Sequence, residues 1–176
     1  MGLQDSIPQY MADILLAGNP ASTQGILPEV GSQAPDARLV KVDMTQSSIK
    51  DFQGQRLVLN IFPSIDTDVC AAPTRRFNQL AAGLENTVVA CVSRDLPFAQ
   101  KRFCAAEGIE NVITLSDFVD GDFGKTYGLM MDGGPLNGLH SRAVVVIDES
   151  GKVVHTEQVD DIVNEPNYDS AMAALG

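Results

Sequence analysis

Hydrophobic and polar positions follow two periods in this chain, and the two alternate along it. Leu57-Val-Leu-Asn-Ile-Phe62 and Thr87-Val-Val-Ala-Cys-Val92 are near-continuous apolar runs, as a strand buried on both faces requires. Ala37 to Val42 instead alternates apolar with polar, as a strand with one solvated face does. Asn111-Val-Ile-Thr-Leu115 predicts a further strand, and Arg142-Ala-Val-Val-Val-Ile147 with Lys152-Val-Val-His-Thr156 predicts a hairpin turning at Asp148-Glu-Ser-Gly151. Between these runs the spacing becomes helical. Asp68 to Leu84 puts Val69, Phe77, Leu80 and Ala81 on one stripe, and Pro97 opens a second helix that stops near Gly108. Asp120 to Tyr127 reads as a short helix and Glu165 to Leu175 as a closing one, while Met130 to Leu139 is a loop broken by Gly and Pro. In the first thirty residues the turn signal Gly18-Asn19-Pro20 leaves room only for short strands or a hairpin. Strands alternating with helices, then a hairpin and a helix, predict one α/β domain with a central mixed β-sheet flanked by helices.

Composition narrows the functions open to such a domain. Of 176 residues 44% are hydrophobic, which is ordinary for a globular fold. A formal net charge of −11 opposes nucleic-acid binding, which draws its affinity from cationic contacts to phosphate. No apolar run approaches the roughly 20 residues of a membrane span, and Met11 to Ala17 is interrupted by Asp13, so no membrane partner is expected. The first basic residue is Arg38, so a positively charged secretory leader is absent from the pattern and a cytoplasmic location is expected. Three cysteines without such a leader argue against a structural disulfide framework. His140 and His155 make no metal-ligand spacing with them, and neither metal nor cofactor is expected.

Cys70 carries the strongest chemical signal. A free thiol is only slightly ionised at neutral pH, and the thiolate is the nucleophile. Cys70 falls in the first turn of the predicted helix, where unpaired backbone N–H groups and the positive end of the helix dipole favour an anion. Thr67 or Asp66 caps that helix, the Thr67 hydroxyl is within reach of the same sulfur, and Arg75 and Arg76 add positive charge to an acidic chain. A small core cysteine beside an ordinary cap is the plainer alternative, but strand, Pro63, cap and arginines converge on one sulfur as they do around activated nucleophiles. Cys91, amid apolar strand residues, reads as inert packing.

The segments Asn60-Ile-Phe-Pro-Ser-Ile-Asp-Thr-Asp-Val-Cys70, Arg75-Arg-Phe-Asn78, Asp95-Leu-Pro-Phe-Ala99, Arg102-Phe-Cys104 and Arg142-Ala-Val-Val-Val-Ile-Asp148 resemble the thiol peroxidase branch of the peroxiredoxins, of the atypical two-cysteine type. The likeness runs from about Gly18 onward, which sets residues 1–17 apart as an N-terminal extension, a strand or hairpin, to a domain over 18–176. It implies a thioredoxin-like fold and reduction of hydrogen peroxide and alkyl hydroperoxides, with Cys70 as the peroxidatic thiolate. By the same resemblance Pro63 shields that sulfur, Thr67 hydrogen-bonds the peroxide and Arg142 stabilises the thiolate and the leaving oxygen. Cys104 resolves the sulfenic acid within the chain as a Cys70–Cys104 disulfide, thioredoxin is the electron donor, and the assembly is a homodimer. Two helical cysteines seldom lie close enough for a disulfide, so local unwinding is expected. Two residues depart from the family. Asp68 stands where a small residue or proline is usual; its charge favours the helix start but disfavours a neighbouring thiolate. Pro73 falls in the first helical turn and is expected to ease unwinding around Cys70. Tyr127-Gly-Leu-Met-Met131, Leu136 and Leu139 either line a site for organic peroxides or pack in the core. Cys70-Ala-Ala-Pro73 also has the form of a single-thiol disulfide reductase site, and a non-enzymatic redox switch is a third possibility.

Overall fold

The computed structural model describes residues 11–176; residues 1–10 and the side chains of Asp68 and Cys70 lie outside the described residues. A hairpin of β1 (Asp13–Leu16) and β2 (Asn19–Ser22) comes first, turning through Ala17 and Gly18, both at positive φ. Pro20 is accommodated because, among the described residues, the β2 ladder is with β1, so its missing N–H costs no second ladder. The hairpin strands lie on either side of residue 17.

The main sheet has seven strands in the order β4-β3-β7-β6-β5-β8-β9, built from β3 (Arg38–Lys41), β4 (Gln46–Ser48), β5 (Arg56–Ile61), β6 (Thr87–Ser93), β7 (Ile113–Ser116), β8 (Ala143–Ile147) and β9 (Val153–Gln158). β5, β6 and β7 run parallel, joined by α1 (Asp68–Ala81) and α2 (Pro97–Glu107), while β8 pairs antiparallel with β5 and β9 with β8. The sheet is therefore mixed, as the strand and helix alternation requires, and its arrangement is thioredoxin-like.

The apolar runs are central because both their faces are covered. On one face Leu57, Leu59, Ile61, Val92, Leu115 and Val145 pack with Phe123 of α3 (Asp122–Thr126) and with Tyr127. On the other, Val58, Phe62, Val89, Cys91 and Val146 meet Phe77 of α1, Phe103 and Cys104 of α2, and Ala171 of α4 (Tyr168–Ala173). Among the described residues no helix is long and apolar enough to cross a membrane.

Several boundaries shift for local reasons. Asn111 does not enter β7, because its N–H donates to Asn78 Oδ1 at 2.8 Å and its side-chain amide to the Asn78 carbonyl. α4 begins three residues later than expected, since Pro166 precedes Asn167, whose side chain accepts the Ser170 N–H as a cap. α2 ends at Gly108 as expected, in the left-handed conformation at φ 64° that glycine enters without strain. β4, and the 3-10 turn Ile49–Phe52 after it, are too short and polar to carry a periodic signal. Pro73 is the sixth residue of α1 and so lies beyond the first turn where the sequence placed it. Tyr127, Leu129, Met130 and Met131 are buried as core; Leu136 and Leu139 are half-buried, and Leu136 and Met131 line an open cavity with Leu16 and Ala21.

Candidate active site

Cys70 is the third residue of α1, and the loop that delivers it is held in place from the neighbouring strand. After β5 the Phe62 N–H donates to the Val92 carbonyl at 3.2 Å, and Pro63, buried, ends the strand where its missing N–H would stop the ladder. Ser64 Oγ then donates to Asp95 Oδ1 at 2.7 Å and the Ile65 N–H to Asp95 Oδ2 at 2.9 Å. The Ala71 N–H donates to the Thr67 carbonyl at 3.3 Å, which makes Thr67 the capping position, and the Thr67 hydroxyl reaches back to the Ser64 carbonyl at 3.2 Å. Thr67 itself is exposed.

Arg142 arrives at the same end of the sheet. β5 and β8 are antiparallel with Ile61 opposite Ala143, so continuing the register by one residue sets Arg142 opposite Phe62, next to Pro63. Its side chain is 1% exposed, and its Nε donates to the Ile162 carbonyl at 2.7 Å. A guanidinium buried this deeply is retained only where its hydrogen bonds or charge are used.

α1 and α2 lie side by side and run in the same direction, tied at two levels. Arg102 Nη2 meets Asp66 Oδ1 at 3.3 Å, and Arg75 grips the Glu107 carboxylate with Nε at 2.7 Å and Nη2 at 2.9 Å. Arg75 thus spends charge on Glu107, whose carboxyl it holds below the usual range through that hydrogen bond. In sequence, Cys70 lies between Asp66 and Arg75, and Cys104 lies between Arg102 and Glu107. The same two ion pairs therefore bracket both cysteines on adjacent helices. Packed helices keep their axes about 8–10 Å apart, wider than the roughly 4.4–6.8 Å between Cα atoms that a disulfide spans.

Cys104 is half-buried, and burial pushes its thiol above its usual value. It lines an open groove of about 460 Å³ with Val88, Val112 and Lys101. Cys91 is fully buried; burial pushes it up to about 12, against hydrogen bonds from Asn60 and Thr74. The structure thus brings Pro63, Thr67, the backbone of Cys70 and Arg142 to one end of the sheet and sets Cys104 on the next helix. Sequence reasoning overlooked the anchoring role of Asp95 and Ser64. The signal was an Asp just after a buried strand, and its partners in the loop, Ser64 and Ile65, lie 31 and 30 residues earlier.

The Redoxin family matches residues 29–172. A thiol peroxidase from Corynebacterium glutamicum is 53% identical over 165 residues, spanning 94% of this chain and 99% of that protein. The crystal structure of a peroxiredoxin-like protein from Aquifex aeolicus is similar with a TM-score of 0.88 at 40% identity, over 94% of this chain and 98% of that one. Reduced Prx3 from Vibrio vulnificus, in complex with hydrogen peroxide, is similar with a TM-score of 0.68 at 26% identity, over 85% of this chain and all of that one at 100%. A loop anchored before a helix-start cysteine, a buried arginine at the same end of the sheet and this likeness over nearly the whole length agree: the chain belongs to the Redoxin family, in the thiol peroxidase branch of the peroxiredoxins.

Proposed function

We propose that this chain is a thiol-dependent peroxidase that reduces hydrogen peroxide and alkyl hydroperoxides, with Cys70 as the peroxidatic and Cys104 as the resolving residue. The Cys70 thiolate attacks one oxygen of the peroxide and the O–O bond breaks. Sulfur keeps that oxygen as a sulfenic acid, and the other oxygen leaves with a proton as water or alcohol. Cys104 then attacks the Cys70 sulfur, releasing water and forming the disulfide. Two thiol–disulfide exchanges with an external dithiol, thioredoxin, return both thiols.

The observation that carries this proposal is the placement of Cys70 at the start of a 14-residue helix, at the sheet end where Arg142 is buried. Helix N–H groups and a guanidinium favour both the thiolate and the charge that develops on the leaving oxygen. Thr67, at the cap, supplies a hydroxyl to the peroxide, and Pro63 keeps water from the sulfur. The paired levels of α1 and α2 support Cys104 as partner, and its groove gives a donor access to it. Its burial raises the Cys104 thiol and so disfavours its thiolate in this arrangement of the helices. Exposed Leu96, Phe98 and Val119 support a homodimer, and a cytoplasmic location suits a thioredoxin-recycled thiol.

Peroxide turnover with thioredoxin, in the wild type, Cys70→Ser and Cys104→Ser, tests the assignment when thiols are counted after one equivalent of oxidant. Cys70→Ser should be inactive; Cys104→Ser should still consume one peroxide but form no intramolecular disulfide and fail to recycle. Turnover surviving in Cys70→Ser rejects the mechanism. Reduction of a small disulfide without peroxide consumption would instead favour a disulfide reductase.

A further inference from the structure

The geometry points to Asp95 as a positioning residue for the peroxide step: its carboxylate fixes the Pro63–Thr67 loop and so the start of α1. This rests on the peroxidase function proposed above. Three donors converge on that carboxylate, Ser64 Oγ at 2.7 Å, the Ile65 N–H at 2.9 Å and Ser93 Oγ at 2.6 Å. The Asp95 backbone is itself held, because its carbonyl accepts from Ser116 Oγ of β7. Ser93 is held in turn by Gln100 Nε2 of α2 at 3.2 Å.

An aspartate just before a helix ordinarily caps that helix. Here Leu96 is the N-cap of α2 with no side-chain cap bond, and the Asp95 carboxylate serves the other helix's loop instead. From Ser64 the restraint passes on: its carbonyl accepts from the Thr67 hydroxyl at 3.2 Å and its hydroxyl oxygen from the Asp66 N–H at 3.2 Å. One carboxylate thus sets the path from the Pro63 end of β5 to the cap of the Cys70 helix. Misplacing reacting groups by about 1 Å can cost on the order of a hundredfold in rate. Resolution makes the opposite demand, since the same loop must let α1 unwind toward Cys104. Asp95 therefore promotes the first step and restrains the second.

The test is rapid quench of the reduced full chain with hydrogen peroxide, trapping sulfenic acid and disulfide for intact-mass measurement in wild type, Asp95→Ala, Asp95→Asn and Ser64→Ala. Cys70 oxidation should slow on the order of ten- to a hundredfold in Asp95→Ala. It should slow less in Asp95→Asn, whose amide keeps one acceptor for the Ile65 N–H, and least in Ser64→Ala. Conversion of sulfenic acid to disulfide should be as fast as in the wild type or faster in all three. Oxidation at the wild-type rate in Asp95→Ala overturns the inference, as does equal slowing of both steps, the mark of a general structural lesion. If Asp95→Ala does not fold, Asp95→Asn and Ser64→Ala decide by the same two rates. A wild type that forms neither sulfenic acid nor disulfide rejects the peroxidase function itself.

Discussion

Arg142 shows how much a single residue can be asked to do. Sequence alone gives no reason to single it out, because an arginine opening an apolar strand is usually an edge charge; only the family resemblance did so. The structure supplies the physical reason: the side chain is 1% exposed and donates through Nε to the Ile162 carbonyl. Lysine keeps the charge but has no planar fork, so it cannot hold that carbonyl and also serve the proposed site. Arg142→Lys should therefore lower kcat/KM for hydrogen peroxide by about 10²–10³, the cost of losing one preorganised donor, and lower the Tm as well. A variant with unchanged kcat/KM would remove Arg142 from the chemistry. Cys91 makes the opposite case, since its burial was legible from the apolar run around it. With its thiol pushed up to about 12 by burial, it should resist iodoacetamide in the folded, reduced chain near pH 8 and react only in denaturant. Labelling of Cys91 in the folded chain, seen by peptide mapping, would contradict that.

At the scale of elements, the proposed Cys70–Cys104 pairing asks helix α1 to be ordered for one step and to come apart for the next. Pro73 has no N–H to donate to the Val69 carbonyl, so the turn carrying Cys70 is joined to the rest of α1 by one hydrogen bond fewer. Downstream of that gap α1 is well fastened, by Arg75 to Glu107 and by Asn78 to Asn111. Upstream, the ion pair from Asp66 to Arg102 is exposed on both sides and contributes little. Unwinding should therefore stop near Pro73. Pro73→Ala restores the bond and should slow disulfide formation after a peroxide pulse several-fold while leaving Cys70 oxidation unchanged. An unaltered disulfide rate would exclude Pro73 as the weak point. α1 was legible from its helical stripe, α2 from Pro97 at its start and Gly108 at its end, and β5, β6 and β8 from their unbroken apolar runs; β4 and the turn after it offer neither stripe nor run. The site divides the same way. Cys70, Thr67 and Pro63 are close in sequence and announce themselves, whereas the holds of Asp95 on Ser64 and of Ile162 on Arg142 exist only after the sheet forms.

For the molecule as a whole, the titrating groups shifted by folding set the pH range over which the fold holds. Cys91 lies in the core between the sheet and the helices, and burial raises it from 9.0 to about 12. Tyr127 is raised from 10.0 by burial and by Asp36, and Tyr168 from 10.0 by burial and its hydrogen bond to Glu165. A folded-state pKa above the unfolded one means that the unfolded chain loses its proton first as pH rises. The stability from these groups is thus whole below about pH 9 and is lost as pH climbs through the range above it, with Cys91 first and the tyrosines after. Carboxylates act in reverse: Asp148, lowered by the Lys152 and Ser150 hydrogen bonds, and Glu107, lowered by Arg75, contribute above their unfolded values of 3.8 and 4.5 and lose that contribution as pH falls. Urea midpoints of the reduced chain should be level between about pH 6 and 8.5 and fall steadily by about pH 10.5. Cys91→Ala should start from a lower midpoint, because it leaves a small cavity, yet should lose less between about pH 9 and 10, where the raised thiols of Cys91 and Cys104 drive the slope and the substitution leaves only Cys104. Parallel curves for the two proteins across that interval would show that the buried thiol is not what sets the alkaline limit.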